Sequence, residues 1–189
     1  MERFTLTHVS DRDRERWDER YQNRGPVPLD EVTLPAVFEP FEDAFPTAGQ
    51  AVDIACGRGT AAVWLARRGM SVTGVDVSPV AIAHAEELAR VSDVTQHCRF
   101  VAADLDAGLP AGPRADVVLC HRFRDTRLDD DIIARLAPGG LLAISALSEV
   151  GASPGPFRVR PGELSRAFAV LDPLAAGEGD GEAWLLARG

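Results

Sequence analysis

From about residue 50 onward, short apolar runs alternate with longer amphipathic stretches, and this alternation limits the possible folds more than any other feature of the chain. Such a rhythm is typical of strand–helix–strand units, which assemble into a parallel sheet. It predicts strands at residues 51–55, 71–75, 99–101, 115–120 and 141–146, and helices at residues 60–68, 79–90 and 129–136. We therefore predict an α/β fold built on a doubly wound, mostly parallel sheet.

The N-terminal part of the chain does not follow this rhythm. A charged stretch at residues 10–21 places Trp17 and Tyr21 one helical turn apart, which predicts an amphipathic helix with an aromatic edge. A proline-rich connection follows, and its short apolar pattern predicts one further short helix. We expect residues 1–48 to form a helical lid or cap.

The C-terminal part predicts a small addition to the sheet. A helix is predicted at residues 161–168, and the apolar segments 169–171 and 183–187 are separated by a glycine-rich acidic turn. These two segments are predicted to pair as an antiparallel hairpin beside the parallel strands. We expect one domain over residues 1–189, with the α/β core at residues 49–189.

A glycine turn follows the first predicted strand. This strand contains Asp53 and runs through Ala55 into Gly57 and Gly59, after which a helix is predicted. Glycines at such a turn let the backbone approach a ligand closely at the carboxyl edge of the sheet. The same spacing also satisfies the dinucleotide-binding fingerprint, so the glycines predict a ligand loop without identifying the ligand.

Acidic residues follow the next two predicted strands. Asp76, followed by Val77, ends the second strand at the spacing where an acid accepts hydrogen bonds from two ribose hydroxyls. Asp104 follows the third strand, where we expect it to accept the adenine amino group while Leu105 covers the ring. In the competing interpretation, Asp53 and Asp76 only cap helices; the recurrence of acids after three successive strands disfavours it.

Charge separates the two cofactor classes that suit this loop. A dinucleotide places its anionic pyrophosphate over the turn, where Asp53 would repel it. S-adenosylmethionine carries an ammonium and a sulfonium but no phosphate, so we predict it as the cofactor, with S-adenosylhomocysteine as product. Two other functions stay open: a non-catalytic regulatory protein that binds S-adenosylmethionine and, less favoured, an NAD-linked oxidoreductase.

Several segments resemble a known family. The run VDIACGRGTAAVWLARRGMSVTGVDVSPVAIAHAEELA resembles the glycine and acidic motifs of class I S-adenosylmethionine-dependent methyltransferases. AADLDAGLP, ADVVLCHRF and LAPGGLLAIS are similar to the family's third motif, fourth motif and post-motif turn. The resemblance implies a Rossmann-like fold and methyl transfer. The chain departs from the family by carrying Arg58 between its glycines, where an acid is common.

A narrower resemblance concerns the acceptor and the lid. The segments WDERY and PGELSRAF resemble small methyltransferases of the tellurite-resistance and thiopurine group, which modify small soft nucleophiles. This likeness implies a small-molecule methyl acceptor. We also expect Trp17 and Tyr21 to lie over the cofactor and exclude water, or else to anchor their helix to the core.

Ionisable residues directly follow the fourth predicted strand. His121 is the candidate general base if the acceptor needs one, and Arg122 is expected to attract an anionic or soft acceptor. These two residues are the predicted catalytic pair. Alternatively, Arg122 and Arg124 pair with Asp125 or with the acidic residues 129–131. If neither predicted residue acts, the acceptor site is expected in the loop at residues 148–161.

Composition limits the expected partners. A formal net charge of −9 opposes the clustered cations that hold nucleic-acid phosphates, so no nucleic-acid partner is expected. The three cysteines form no CxxC pair, and no metal site is expected. Since no stretch approaches the roughly 20 apolar residues of a membrane span, we expect a cytoplasmic protein with no membrane partner. The oligomeric state is left open.

Overall fold

Seven strands form a single sheet in this computed structural model, which describes residues 9–155 and 157–189. The strands are β1 (Gln50–Ile54), β2 (Ser71–Asp76), β3 (Cys98–Ala102), β4 (Ala115–Cys120), β5 (Leu136–Leu147), β6 (Asp172–Gly179) and β7 (Glu182–Arg188). Their order is β3-β2-β1-β4-β5-β7-β6. The first five strands pair in parallel, whereas β7 runs antiparallel to both β5 and β6. The predicted doubly wound sheet with a C-terminal antiparallel hairpin is confirmed.

Helices lie on both faces of this sheet. They are α1 (Val9–Gln22), α2 (Thr60–Arg67), α3 (Pro79–Val91), α4 (Asp129–Arg135) and α5 (Glu163–Ala167). Short 3-10 turns occur at Leu29–Glu31, Glu39–Ala44, Thr95–His97, Leu105–Ala107 and Thr126–Leu128. Ser78 caps α3, because its hydroxyl accepts the Ala81 amide, and a proline follows it at the first helical position. Helix α3 therefore begins where its capping signal places it.

Two hydrophobic clusters sandwich the sheet. Ala51 of β1 belongs to the cluster that contains α2 and α3, whereas Val52 belongs to the cluster that contains Ile132 of α4 and Leu164 of α5. Successive side chains of a strand point to opposite faces, so the central strands need apolar residues on both sides. This requirement explains the short continuous apolar runs in the sequence.

The C-terminal hairpin differs in detail from its prediction. The predicted segment 169–171 is not a strand, and β6 instead begins at Asp172 and contains Pro173. Asp180 and Gly181 join β6 to β7 with φ angles of +50° and +79°, which fit the two-residue turn that joins twisted strands. The edge position tolerates proline, since one side of an edge strand needs no donor. Pairing with β7, rather than intrinsic preference, makes this segment a strand.

The segment between α1 and β1 packs onto the sheet through aromatic residues. Phe38 is fully buried, and its ring centroid lies 6.5 Å from that of Phe45 and 6.3 Å from that of Trp184 on β7. This packing fixes the chain that leads from α1 into the core. Residues 1–8 of the predicted cap lie outside the described residues. Within the described part of the chain, none of the helices has the length and apolar character needed to cross a membrane.

Candidate functional site

Asp53 is a buried carboxylate on the central strand β1. Its residue is 2% exposed, and its Oδ2 atom has no hydrogen-bond partner within the described part of the chain. Burial, with a further contribution from Asp76, raises the pKa of Asp53 to about 8, while the Ala62 amide lowers it. A buried carboxylate without a counter-charge is costly to ionise. The site therefore favours a ligand that brings a positive charge to Asp53.

The glycine loop after β1 is held by Asp76 at the end of β2. The Asp76 carboxylate accepts the Gly57 amide at 2.8 Å and the Ser78 amide at 2.9 Å. Burial raises the pKa of Asp76, and these amides lower it. Each carboxylate oxygen has a second lone pair, so Asp76 can hold the loop and still accept hydroxyl groups.

Close packing explains the second glycine of this loop. Gly59 has a φ angle of +79°, and a Cβ atom at this position would lie 2.7 Å from the Ala85 Cβ on α3. Gly57 also lies in the left-handed region, at +53°. Ala55, just after β1, has a φ angle of +54°, which is uncommon for a residue with a side chain. The loop thus turns sharply between β1 and α2 at the carboxyl edge of the sheet.

Helix α1 lies over this loop. A Cβ atom on Gly57 would lie 3.0 Å from the Tyr21 hydroxyl oxygen, and the Tyr21 ring stacks on Trp17 with centroids 5.8 Å apart. Asp18 accepts a hydrogen bond from the Ser78 hydroxyl. Burial first, and Asp76 second, raise the pKa of Tyr21 above its ordinary value. The structure therefore brings Tyr21 to the glycine loop, with Trp17 stacked on its ring; their lid role stays a prediction.

The remaining predicted cofactor residues lie nearby in the fold. Val77 is half-buried between Asp76 and Ser78, and its amide lowers the pKa of Asp76. Asp104 is exposed two residues beyond β3, where its carboxylate accepts the Asp106 amide at 2.9 Å. Leu105 is 7% exposed and packs in the α4 and α5 cluster. Their contacts with an adenine ring stay predictions.

Arg58 connects the glycine loop to the chain that follows α1. Its Nη1 donates to the Gly25 carbonyl at 3.3 Å, and its Nη2 lies 3.5 Å from the Glu31 carboxylate. The sequence showed only that an arginine replaces a common acid between the glycines. The structure adds that this arginine ties the loop to the N-terminal segment.

His121 directly follows β4, next to the end of β1. Cys120 on β4 pairs with Ile54 on β1 and with Ile144 on β5, so His121 falls in one row with Ala55 and Ser145. The His121 Nδ1 atom lies 2.7 Å from the Ser145 Oγ atom. Burial lowers the pKa of His121 to about 4, although Glu182 opposes this effect. The ring is therefore neutral at pH 7.

The nearby arginines are ion-paired. Arg122 donates to the Glu182 carboxylate, with an Nη2–Oε2 distance of 3.0 Å. Arg124 pairs with Asp129 and with Glu163, and its side chain is 8% exposed. The alternative in which Arg124 pairs with the acidic residues 129–131 is confirmed. Arg122 instead pairs with a residue on β7, and neither arginine is an uncompensated charge for an anionic acceptor.

Sequence reasoning missed some contacts around this edge. Ser145 and Glu182 lie on strands far along the chain from His121, although a lone serine in the buried run of β5 is a signal that could have been followed. Phe157 also reaches α1, since the Arg16 guanidinium lies 5.5 Å from its ring centroid and 5.6 Å from that of Trp17. Helix α1 therefore meets the loop that follows β5.

Comparisons with known proteins agree with this geometry. Residues 51–140 match a family described as a methyltransferase domain. The TehB crystal structure from Haemophilus influenzae has a TM-score of 0.68 at 18% identity, covering 93% of this chain and 66% of that one. Magnesium protoporphyrin IX methyltransferase from Synechocystis, with bound SAM, has a TM-score of 0.70 at 18% identity, with 97% and 98% covered. These structures share the fold.

Curated relatives match only part of their own length. Ribosomal RNA small subunit methyltransferase C of Alcanivorax borkumensis is 37% identical over 54% of this chain and 33% of the relative. An uncharacterized RNA methyltransferase of Nitratidesulfovibrio vulgaris is 30% identical over 49% and 22%. A ubiquinone biosynthesis O-methyltransferase of Methylobacterium nodulans is 31% identical over 66% and 45%. The chain thus spans less than half the length of each.

The expectation of no nucleic-acid partner is wrong, because two of these relatives are RNA methyltransferases. Net charge averages over the whole surface, whereas nucleic acids are held by local groups. The overall charge of −9 coexists with a described α1 surface that carries Arg14, Arg16 and Arg20 within two turns. The net charge of the whole chain therefore did not justify excluding a nucleic-acid partner.

The Asp53 carboxyl predicts a specific pH dependence of stability. Its pKa is about 8 in the folded protein and 3.8 ordinarily. Between these two pH values the folded state keeps a proton on Asp53 that the unfolded state has lost. The contribution of Asp53 to the free energy of unfolding is therefore largest at acid pH and falls as pH rises. In Asp53→Asn this loss, about 1.4 kcal/mol per pH unit, is absent. Urea unfolding of both proteins from pH 5 to 8 measures the difference; parallel curves would contradict the prediction.

Proposed function

We propose that this chain transfers a methyl group from S-adenosylmethionine to an acceptor bound at the carboxyl edge of its sheet. The observation that carries the proposal is the buried Asp53 carboxylate, whose Oδ2 lacks a partner among the described residues. The methyltransferase-domain match over residues 51–140 supports the same function. The bound SAM in the Synechocystis relative supports the choice of cofactor.

The charges of the site fit a cationic ligand. An ammonium group beside Asp53 would stabilise the ionised carboxylate. Asp53 and Asp76 each raise the pKa of acidic groups around the glycine loop, which shows that this region disfavours further negative charge. Asp18 adds a third carboxylate, which raises the pKa of Asp76. A pyrophosphate over this loop would bring further negative charge to a cluster of acids and would stabilise the ionised form of none of them. The arrangement therefore favours S-adenosylmethionine over a dinucleotide.

Each side chain at the edge has a distinct task in this proposal. Asp53 would hold the ammonium group of the cofactor, Asp76 would accept ribose hydroxyls, and Asp104 would accept the adenine amino group. When bound, the cofactor supplies a methyl group that is already activated by its sulfonium. Trp17 and Tyr21 would cover the loop and exclude water, so that positioning accounts for most of the rate.

We assign a small molecule as the acceptor. The Arg16 guanidinium lies 5.6 Å from the ring centroid of Trp17 and 5.5 Å from that of Phe157, so α1 contacts the loop after β5. The likeness to small methyltransferases in the WDERY and PGELSRAF segments supports the same class. Transfer to RNA is the second candidate, favoured by the two RNA-methyltransferase relatives.

The cofactor assignment predicts an order of affinities. Calorimetry should show binding of S-adenosylmethionine and S-adenosylhomocysteine and weaker or no binding of NAD. Asp53→Asn should weaken S-adenosylmethionine binding by more than about a hundredfold, since it leaves a ligand cation without its buried partner. Asp130→Asn, an exposed acid on α4, is the matched control and should bind as the parent does. Tighter binding of NAD than of S-adenosylmethionine would contradict the assignment.

The acceptor assignment is tested separately. The purified protein is incubated with methyl-labelled S-adenosylmethionine and, in parallel, with bacterial total RNA or with a panel of thiols, selenium and tellurium oxyanions and small hydroxylated metabolites. We expect label in at least one member of the small-molecule panel, because the WDERY and PGELSRAF segments resemble those of small-molecule methyltransferases. Label recovered in RNA alone would assign the second function instead.

A further inference from the structure

Ser145 is the buried partner of two groups at the end of β4. Its residue is fully buried, and its Oγ atom lies 2.7 Å from His121 Nδ1 and 3.2 Å from the Arg122 backbone nitrogen. Arg122 adopts a φ angle of +54°, an uncommon conformation for a residue with a side chain. A backbone amide can only donate, so Ser145 Oγ accepts the hydrogen bond from Arg122.

The hydroxyl proton of Ser145 needs its own acceptor, because a buried donor without a partner is costly. Within residues 9–155 and 157–189, the other polar contact of Ser145 Oγ is His121 Nδ1. Ser145 therefore donates to Nδ1, and Nδ1 carries no proton. Since burial lowers the pKa of His121 to about 4, the neutral ring holds its single proton on Nε2.

Glu182 does not offer Nδ1 an alternative partner. Its Oε1 atom lies 3.9 Å from Nδ1, beyond hydrogen-bond range. The same carboxylate is bound by the Arg122 guanidinium, with Nε and Nη2 at 3.4 Å and 3.0 Å from its two oxygens. The protonated-Nδ1 form would leave the Ser145 hydroxyl proton without an acceptor, so the contacts favour the Nε2–H form.

We infer that Ser145 positions His121 as a hydrogen-bond donor to the methyl acceptor, and that this acceptor attacks through an atom with no proton to lose, such as a thiolate or carboxylate. This inference rests on the proposed function. The His121 side chain is 32% exposed, and in the described chain its Nε2 has no hydrogen-bond partner. It follows β4 directly, beside the end of the strand that carries Asp53.

The reaction then needs no base. A lone pair of the acceptor forms the bond to the methyl carbon, the electron pair of the broken carbon–sulfur bond stays on sulfur, and no proton moves to His121. A neutral imidazole N–H orients an anion without competing for the methyl group, because Nε2 has no free lone pair. The inference revises the expectation that His121 acts as a general base.

The tautomer is measured directly by nitrogen NMR of the full chain labelled with ring-¹⁵N histidine, with His121→Gln assigning the signal. We expect Nδ1 to give the signal of an unprotonated ring nitrogen and Nε2 that of an N–H. Ser145→Ala should shift the Nδ1 signal towards a mixture of tautomers, whereas a merely structural serine would leave it unchanged. A protonated Nδ1 in the parent protein would overturn the inference.

The acceptor class is tested by transfer of labelled methyl to benzenethiol and to phenol at pH 8. The parent protein should methylate benzenethiol, which is largely the thiolate there, in preference to phenol. His121→Gln keeps a donor near the Nε2 position and should retain transfer within a few-fold, whereas His121→Glu should lose roughly tenfold to a hundredfold. Equal or better transfer by His121→Glu, or no transfer to benzenethiol by the parent, would overturn the acceptor class.

Calorimetric binding of S-adenosylmethionine on the same samples separates this inference from the proposed function. Binding together with a protonated Nδ1 contradicts the inference alone. If the correctly folded parent protein does not bind S-adenosylmethionine, the proposed function is contradicted. The tautomer result then still stands as a property of the His121–Ser145 pair. Intact binding by Ser145→Ala shows that a changed ring signal does not come from unfolding.

Discussion

A carboxylate buried without a counter-charge is the constraint on which the site depends. Asp53 lies on β1 at the centre of the sheet, and burial raises its pKa to about 8. Apolar positions on both faces of the central strands are what bury it. An isolated charge there costs free energy unless a cation accompanies it. The fold therefore prepares a position whose ionised form is stabilised by a positively charged ligand.

Hydrogen bonds link the end of β2 to the glycine loop and to helix α1. Asp76 holds both the glycine loop, through the Gly57 amide, and the start of α3, through the Ser78 amide. The Ser78 hydroxyl in turn donates to Asp18 on α1. The loop that would meet the cofactor and the helix that lies over it thus share one network. A change in α1 is expected to reach the cofactor loop through Ser78.

The sequence predicted the parts of the molecule that depend on local patterns, namely the alternating strands and helices, the glycine turn and Asp76 at the end of β2. It missed β6, because that segment contains proline and glycine and becomes a strand only through pairing with β7. It also missed the Arg122–Glu182 pair, which joins residues on separate strands. Net charge misled the partner prediction, since an average over the surface does not describe a local binding site.

The most direct test of the account counts the protons released when S-adenosylmethionine binds. At pH 6 the Asp53 carboxyl holds a proton in the free protein, because its pKa is about 8, while the ligand's own amino group stays protonated. Calorimetry in buffers of different ionisation heats should therefore show release of about one proton per ligand in the parent protein and none in Asp53→Asn. Binding by the parent protein without proton release would contradict the claim that Asp53 is the counter-ion of the cofactor.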